Sequence, residues 1–160
     1  MRTLQVLSII LVFSSLASGI QAQTPVQNKA TVLKSYEEYS KTRDAQAWFR
    51  IMADDYVDYS MGPEPVQGRA AVEEAAKQFV AAFPDVDWKV LRAAAEGNMV
   101  WVELEMSGTF KNDFMGMKAT GKSFKIRDVN IYEFDNKGKA KAGWGVQDPM
   151  VMMSQIMEIK

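Results

Sequence analysis

The apolar positions follow two different periods along the chain. From Ala30, Val32, Leu33, Tyr36 and Tyr39 recur at spacings of three and four, the stripe of a helix. A second, shorter helix is predicted after it, with Asp44 placed as N-cap and Ala47, Trp48, Ile51 and Met52 as its apolar face. Residues 56–60 alternate as a short strand, and the glycines and prolines of "MGPEPVQGR" read as loop. A third helix is predicted over residues 69–82, with Val72, Ala76, Phe79, Val80 and Phe83 along one side and Pro84 ending it. Residues 23–28 show no periodicity and read as a polar leader.

Beyond Pro84 the period becomes two. "DWKVLRAAAEG", "NMVWVELEMSGTF", "KSFKIRDVNIYEFD" and "KAKAGWGVQD" read as four strands. In the second of them Val100, Val102, Leu104 and Met106 alternate with Trp101, Glu103 and Glu105, which predicts one dry and one wet face. The turn "DNKG" at residues 135–138 joins the last two strands as a hairpin, and a short Met-rich helix closes the chain. Helices followed by a run of strands predict an α+β fold, with N-terminal helices packed on one face of a curved antiparallel sheet. One such arrangement is a cone closed at its narrow end by core.

Outside that pattern, Met1-Arg2, the apolar run from Leu4 to Phe13 and the small residues leading to Ala22 fit a cleavable secretory signal. The run is shorter than the roughly 20 residues a bilayer span needs. The expected organisation is therefore a signal at residues 1–22 and one domain at residues 23–160, secreted or periplasmic and free of the membrane after cleavage. With 19 Lys and Arg against 20 Asp and Glu, the chain lacks the basic footprint of a nucleic-acid binder. The absence of cysteine and histidine excludes disulfides, thiolate chemistry and histidine-based acid–base or metal chemistry. The cluster Asp54, Asp55 and Asp58 lacks the spaced ligands of a calcium loop and reads as a solvated helix end and turn. No metal or organic cofactor is called for.

Several short motifs occur in a telling order: Gly68-Arg69 opening a helix, Phe83-Pro84-Asp85 closing it, Ser107-Gly108-Thr109, Thr120-Gly121-Lys122, and a last hairpin with Trp144 followed by Asp148. In this the chain resembles the polyketide-cyclase-like (SnoaL-like) family of the NTF2-like superfamily, from about Val32 to Gln155. The resemblance implies a cone with an apolar pocket, often a homodimer through the sheet, and cyclase- or isomerase-type proton transfer. Where that family usually carries His-Trp-Asp on the last strand, this chain has Gly143-Trp144-Gly145; Tyr59 stands where the first strand commonly has histidine. The family's usual acid–base pair does not carry over.

The remaining candidate for chemistry is the strand around Asp128. Period two puts Ile126, Asp128, Asn130, Tyr132 and Phe134 on one face. If that face lines the pocket, desolvation raises the Asp128 pKa and fits the group for proton transfer; if it faces outward, Asp128 is a structural ion-pair partner. Tyr36 and Tyr59 could offer hydroxyls to a ligand carbonyl, or simply be buried and satisfied. Trp144 is a pocket wall, a core indole or a dimer contact, and Asp148 caps the final helix. Met106 and other methionines suit an adaptable apolar surface, and the glycine-punctuated loop at residues 112–122 could act as a lid. The function expected is binding of a small apolar molecule, one bearing a carbonyl or ester, near Tyr36, Tyr59, Met106, Asn130, Tyr132 and Trp144, with Asp128 as base. The rival is a non-catalytic dimer or adaptor domain with a closed core.

Overall fold

The computed structural model describes residues 23–157; the signal and cleavage point expected at residues 1–22 lie outside the described residues. The first helix, α1 (Pro25–Thr42), starts within the stretch read from sequence as leader. A capping box sets its start: the Gln27 N–H donates to the Thr24 hydroxyl at 3.3 Å, while the Thr24 N–H donates to the Gln27 side-chain oxygen at 2.8 Å. Pro25 at the first helical position has no N–H to leave orphaned. The predicted stripe is the buried face, with Val32, Tyr36 and Tyr39 each at most 3% exposed.

The second helix, α2 (Gln46–Phe49), is a single turn. Asp44 serves its start, accepting the Gln46 N–H at 2.9 Å, although the capping position itself is Ala45. Ile51 and Met52 do not extend it: β1 (Met52–Asp58) begins earlier than expected, because Met52 already pairs with Ala140 at the other end of the chain. A two-residue strand, β2 (Val66–Gln67), pairs with β1 inside the segment read as loop. The third helix, α3 (Arg69–Ala82), has the predicted bounds. The strands β3 (Asp87–Glu96), β4 (Met99–Thr109), β5 (Ser123–Phe134) and β6 (Ala140–Gly145) follow, then α4 (Pro149–Ile156), capped as expected by the Asp148 carboxylate accepting the Met150 N–H at 2.9 Å.

These strands make one six-stranded sheet in the order β2-β1-β6-β5-β4-β3. The expected antiparallel pairing holds everywhere except between β1 and β6, which run parallel. The first strand of the domain thus closes against its last. Register decides what shares the inner face: Leu104 opposes Asp128, Val102 opposes Asn130, and Val100 opposes Tyr132, which in turn opposes Gly143. The alternating burial of β4 and β5 follows the predicted period.

On the outer face Trp101 opposes Ile131 and Ile131 opposes Trp144, an apolar row flanked by the ion pairs Arg92–Glu103, Arg127–Glu103 and Lys125–Glu105. Such exposed pairs contribute little to stability, typically below about 1 kcal/mol each. Stability resides in the inner face and the helices on it, where Val32, Phe49, Tyr56, Val72, Val100, Val102, Leu104 and Phe134 form one core cluster.

Candidate active site

A cavity of about 550 Å³ lies between the helices and the inner face of the sheet. Its wider part is apolar, walled by Trp48, Phe79, Phe83, Trp88, Met106, Phe114, Met117, Met152 and Met153. Trp48, Tyr39 and Trp88 hold one another there: Trp48 stacks on Tyr39 at 4.0 Å between ring centroids and meets Trp88 edge-on at 4.6 Å. Within the loop at residues 112–122, residues 114–117 form a tight turn beside the cavity. Phe114 and Met117 exchange backbone hydrogen bonds of 3.1 and 2.9 Å, and Met115 and Gly116 turn the chain with φ of 47° and 80°. Lys111 and Asn112 anchor its base, both N–H groups donating to the Ala82 carbonyl.

Polar groups gather on the sheet side. The β5 period brings Asp128, Asn130 and Tyr132 to the cavity, and α1 lowers Tyr36 onto them. The Asn130 amide donates to the Tyr36 hydroxyl at 2.9 Å, and the Tyr36 and Tyr132 hydroxyls share a 2.6 Å hydrogen bond. Burial pushes both phenols up, so they remain neutral donors throughout the ordinary pH range.

Asp128 is 5% exposed and its Oδ1 has no hydrogen-bond partner. Burial raises its pKa above the usual carboxylate value, only partly offset by the Val129 backbone N–H. Among the described residues no cation pairs with it, so the ion-pair alternative is not what the structure builds. A carboxyl in this setting is poised between its acid and base forms closer to neutrality than a solvated one.

Two further residues line the cavity: Tyr56, not singled out from the sequence, and Asp58, read there with Asp54 and Asp55 as solvated but only 7% exposed because it lies on the inner side of β1. Period two puts both on the buried side of β1, the pairing that the alternation of residues 56–60 already contains. Asp58 Oδ1 accepts the Ser60 N–H at 2.8 Å and the Ser60 hydroxyl at 2.6 Å. Tyr56 packs against Gly143, where an added Cβ would overlap its hydroxyl. That contact accounts for the first glycine beside Trp144: the tyrosine occupies the volume a side chain at position 143 would take. At Gly145 a Cβ would crowd Ser60 at 3.0 Å.

The same parity corrects the placement of Tyr59. It points outward, is 47% exposed, does not line the cavity, and stacks on Trp144 with ring planes 4° apart. Trp144 borders the cavity, but its register opposite Ile131 places it in the outer row, so it is an edge and not a deep wall. Tyr36, Met106, Asn130, Tyr132 and Asp128 all line the cavity. Among the described residues no cluster of carboxylates has metal-holding geometry, and Asp54 and Asp55 lie exposed on β1.

A cone-like α+β domain with this topology has many solved counterparts. A SnoaL-like protein from Jannaschia sp. CCS1, assigned to the polyketide cyclases, superposes with a TM-score of 0.77 at 20% identity, over 88% of this chain and 99% of that one. IdmH from Streptomyces antibioticus, likewise assigned, gives 0.67 at 23% identity over 81% and 97%. An NTF2-like protein of unknown function from Burkholderia pseudomallei gives 0.68 at 20% over 82% and 98%. At these identities the likeness is one of fold. Among curated proteins none matches the chain. The SnoaL-like polyketide cyclase family model matches residues 30–156, from within α1 to the end of α4, with every cavity residue discussed. By that match, the chain belongs to the SnoaL-like polyketide cyclase family.

Proposed function

We propose that this is an exported SnoaL-like domain that binds a small, mostly apolar molecule bearing a carbonyl or ester and carries out cyclase- or isomerase-type proton transfer on it. The observation that carries this reading is the buried Asp128 carboxyl on the wall of an apolar cavity, with its Oδ1 left without a partner. A buried polar atom without a partner costs about 1–3 kcal/mol, and a purely structural domain gains nothing by keeping one. The base in this scheme is Asp128, with Tyr36, Met106, Asn130 and Tyr132 shaping the pocket and Trp144 at its edge. The cavity volume also weighs against the rival of a closed core, in which packed side chains would fill the space.

A second copy of the chain on the outer sheet face fits the apolar row of Trp101, Ile131 and Trp144, which is flanked by charges of both signs that a two-fold contact could pair across. Native mass spectrometry of the mature protein, collected from the export compartment, tests these readings together. The expected result is a chain starting near residue 23, a dimer, and a co-purifying small molecule or uptake of an added apolar ketone. A full-length monomer that takes up no ketone would contradict them.

A further inference from the structure

Hydrogen accounting around the tyrosine pair points to a specific role. Asn130 donates to the Tyr36 oxygen, and one hydrogen bond joins the Tyr36 and Tyr132 hydroxyls. Two phenolic protons therefore share one contact. Whichever tyrosine donates across the 2.6 Å contact, the proton of the other has no acceptor among the described residues. Both side chains are buried, Tyr36 at 3% and Tyr132 at 8% exposure, so bulk water does not readily take that proton. Both also line the cavity. Trp48 adds a second uncommitted donor on the same cavity, its indole Nε1 being buried without a partner.

We propose that the Tyr36–Tyr132 pair is a hydrogen-bond donor subsite that takes the carbonyl oxygen of the ligand and stabilises the enolate oxygen formed from it. This rests on the proton-transfer reading of the cavity and adds the electrophilic half of the reaction. The Asp128 carboxylate removes a hydrogen from the carbon next to the carbonyl as a proton. The C–H electron pair becomes the carbon–carbon double bond of the enolate, and the carbonyl π pair moves onto oxygen. The uncommitted phenolic O–H donates to that oxygen, and reprotonation by the Asp128 carboxylic acid restores the starting charge. Donors fixed before reaction are effective because they need no reorganisation as charge develops. Asn130 is the positioning residue: its amide occupies a lone pair of Tyr36 and fixes the direction left for the phenolic proton. The ligand class is accordingly an apolar ketone with an acidic hydrogen beside the carbonyl.

The test is the infrared carbonyl band of bound 2-tetralone carrying carbon-13 at the carbonyl, with binding followed by calorimetry and folding by circular dichroism. In the wild-type protein the band is expected to move to lower wavenumber than in hexane. Tyr132→Phe leaves Tyr36 held by Asn130 with its proton free, so the shift is retained. Combining Tyr36→Phe with Tyr132→Phe removes both hydroxyls, so the band returns toward its hexane position. A hexane-like band in the wild-type complex, or an unchanged shift in the folded double variant, overturns the donor subsite while leaving ligand binding intact. Failure of the wild-type protein to bind the ketone at all overturns both the subsite and the reading it rests on.

Discussion

Asp128 is the residue at which stability and chemistry pull apart. Its folded pKa is raised by burial, so the protonated form is the one the fold favours. The stabilising contribution of that form is fully present below the unfolded value of about 3.9 and is lost as pH rises through the folded pKa. Replacing Asp128 with Asn removes the charge and this dependence. The stability of the variant relative to the wild type should therefore be higher at pH 8 than near pH 4, as read from chemical denaturation at the two pH values. An advantage that shrank with rising pH would mean that the carboxylate is better solvated than its burial indicates.

Gly143 is the second informative residue. Adding a methyl group collides with the Tyr56 hydroxyl, so Gly143→Ala should lose about 1–3 kcal/mol, and adding Tyr56→Phe should restore part of the loss. A melting series over the two single variants and the pair measures this coupling directly.

Elements are legible in the sequence where their period is long and their ends are marked. The α3 bounds, the alternation along β4 and β5, and the Asp135 turn, in which the Gly138 and Lys139 N–H groups fold back onto Asp135, follow from local chemistry that nothing distant overrides. Local patterns mislead where pairing partners are far apart in sequence. Nothing near Met52 announces that it will lie beside Ala140, so Ile51 and Met52 look like the end of a helix. Tyr59 is placed near the pocket only by standing where the resembled family commonly has histidine, and the structure turns it outward onto Trp144. The capping box is legible in principle: Thr24 followed by Gln27 is a helix start even though no apolar period surrounds it. Thr24→Ala should accordingly cost about 1 kcal/mol in a denaturation measurement, whereas a frayed leader would show no effect.

At the scale of the whole molecule, the sheet closes its last strand onto its first and thereby collects groups from α1, β1, β5 and the β6 edge around one cavity. Composition alone excludes histidine and cysteine chemistry, which leaves carboxyl, phenol and amine groups for moving protons, and of these the cavity gathers carboxyls and phenols. Which of them converge cannot be read from the strand pattern, because Tyr36 and Tyr132 lie on α1 and β5 and meet only through the packing of helix on sheet. The central claim is that Asp128 removes a proton next to a carbonyl bound in this cavity. Deuterium exchange at the hydrogens beside the carbonyl of 2-tetralone in heavy water, followed by proton NMR, tests it with a simple ketone standing in for the natural ligand. The account predicts exchange faster than buffer with the wild-type protein, declining as pH falls through a folded Asp128 pKa above 3.9, and background exchange with folded Asp128→Asn. Background exchange with the wild-type protein, or equal acceleration by the variant, would contradict it.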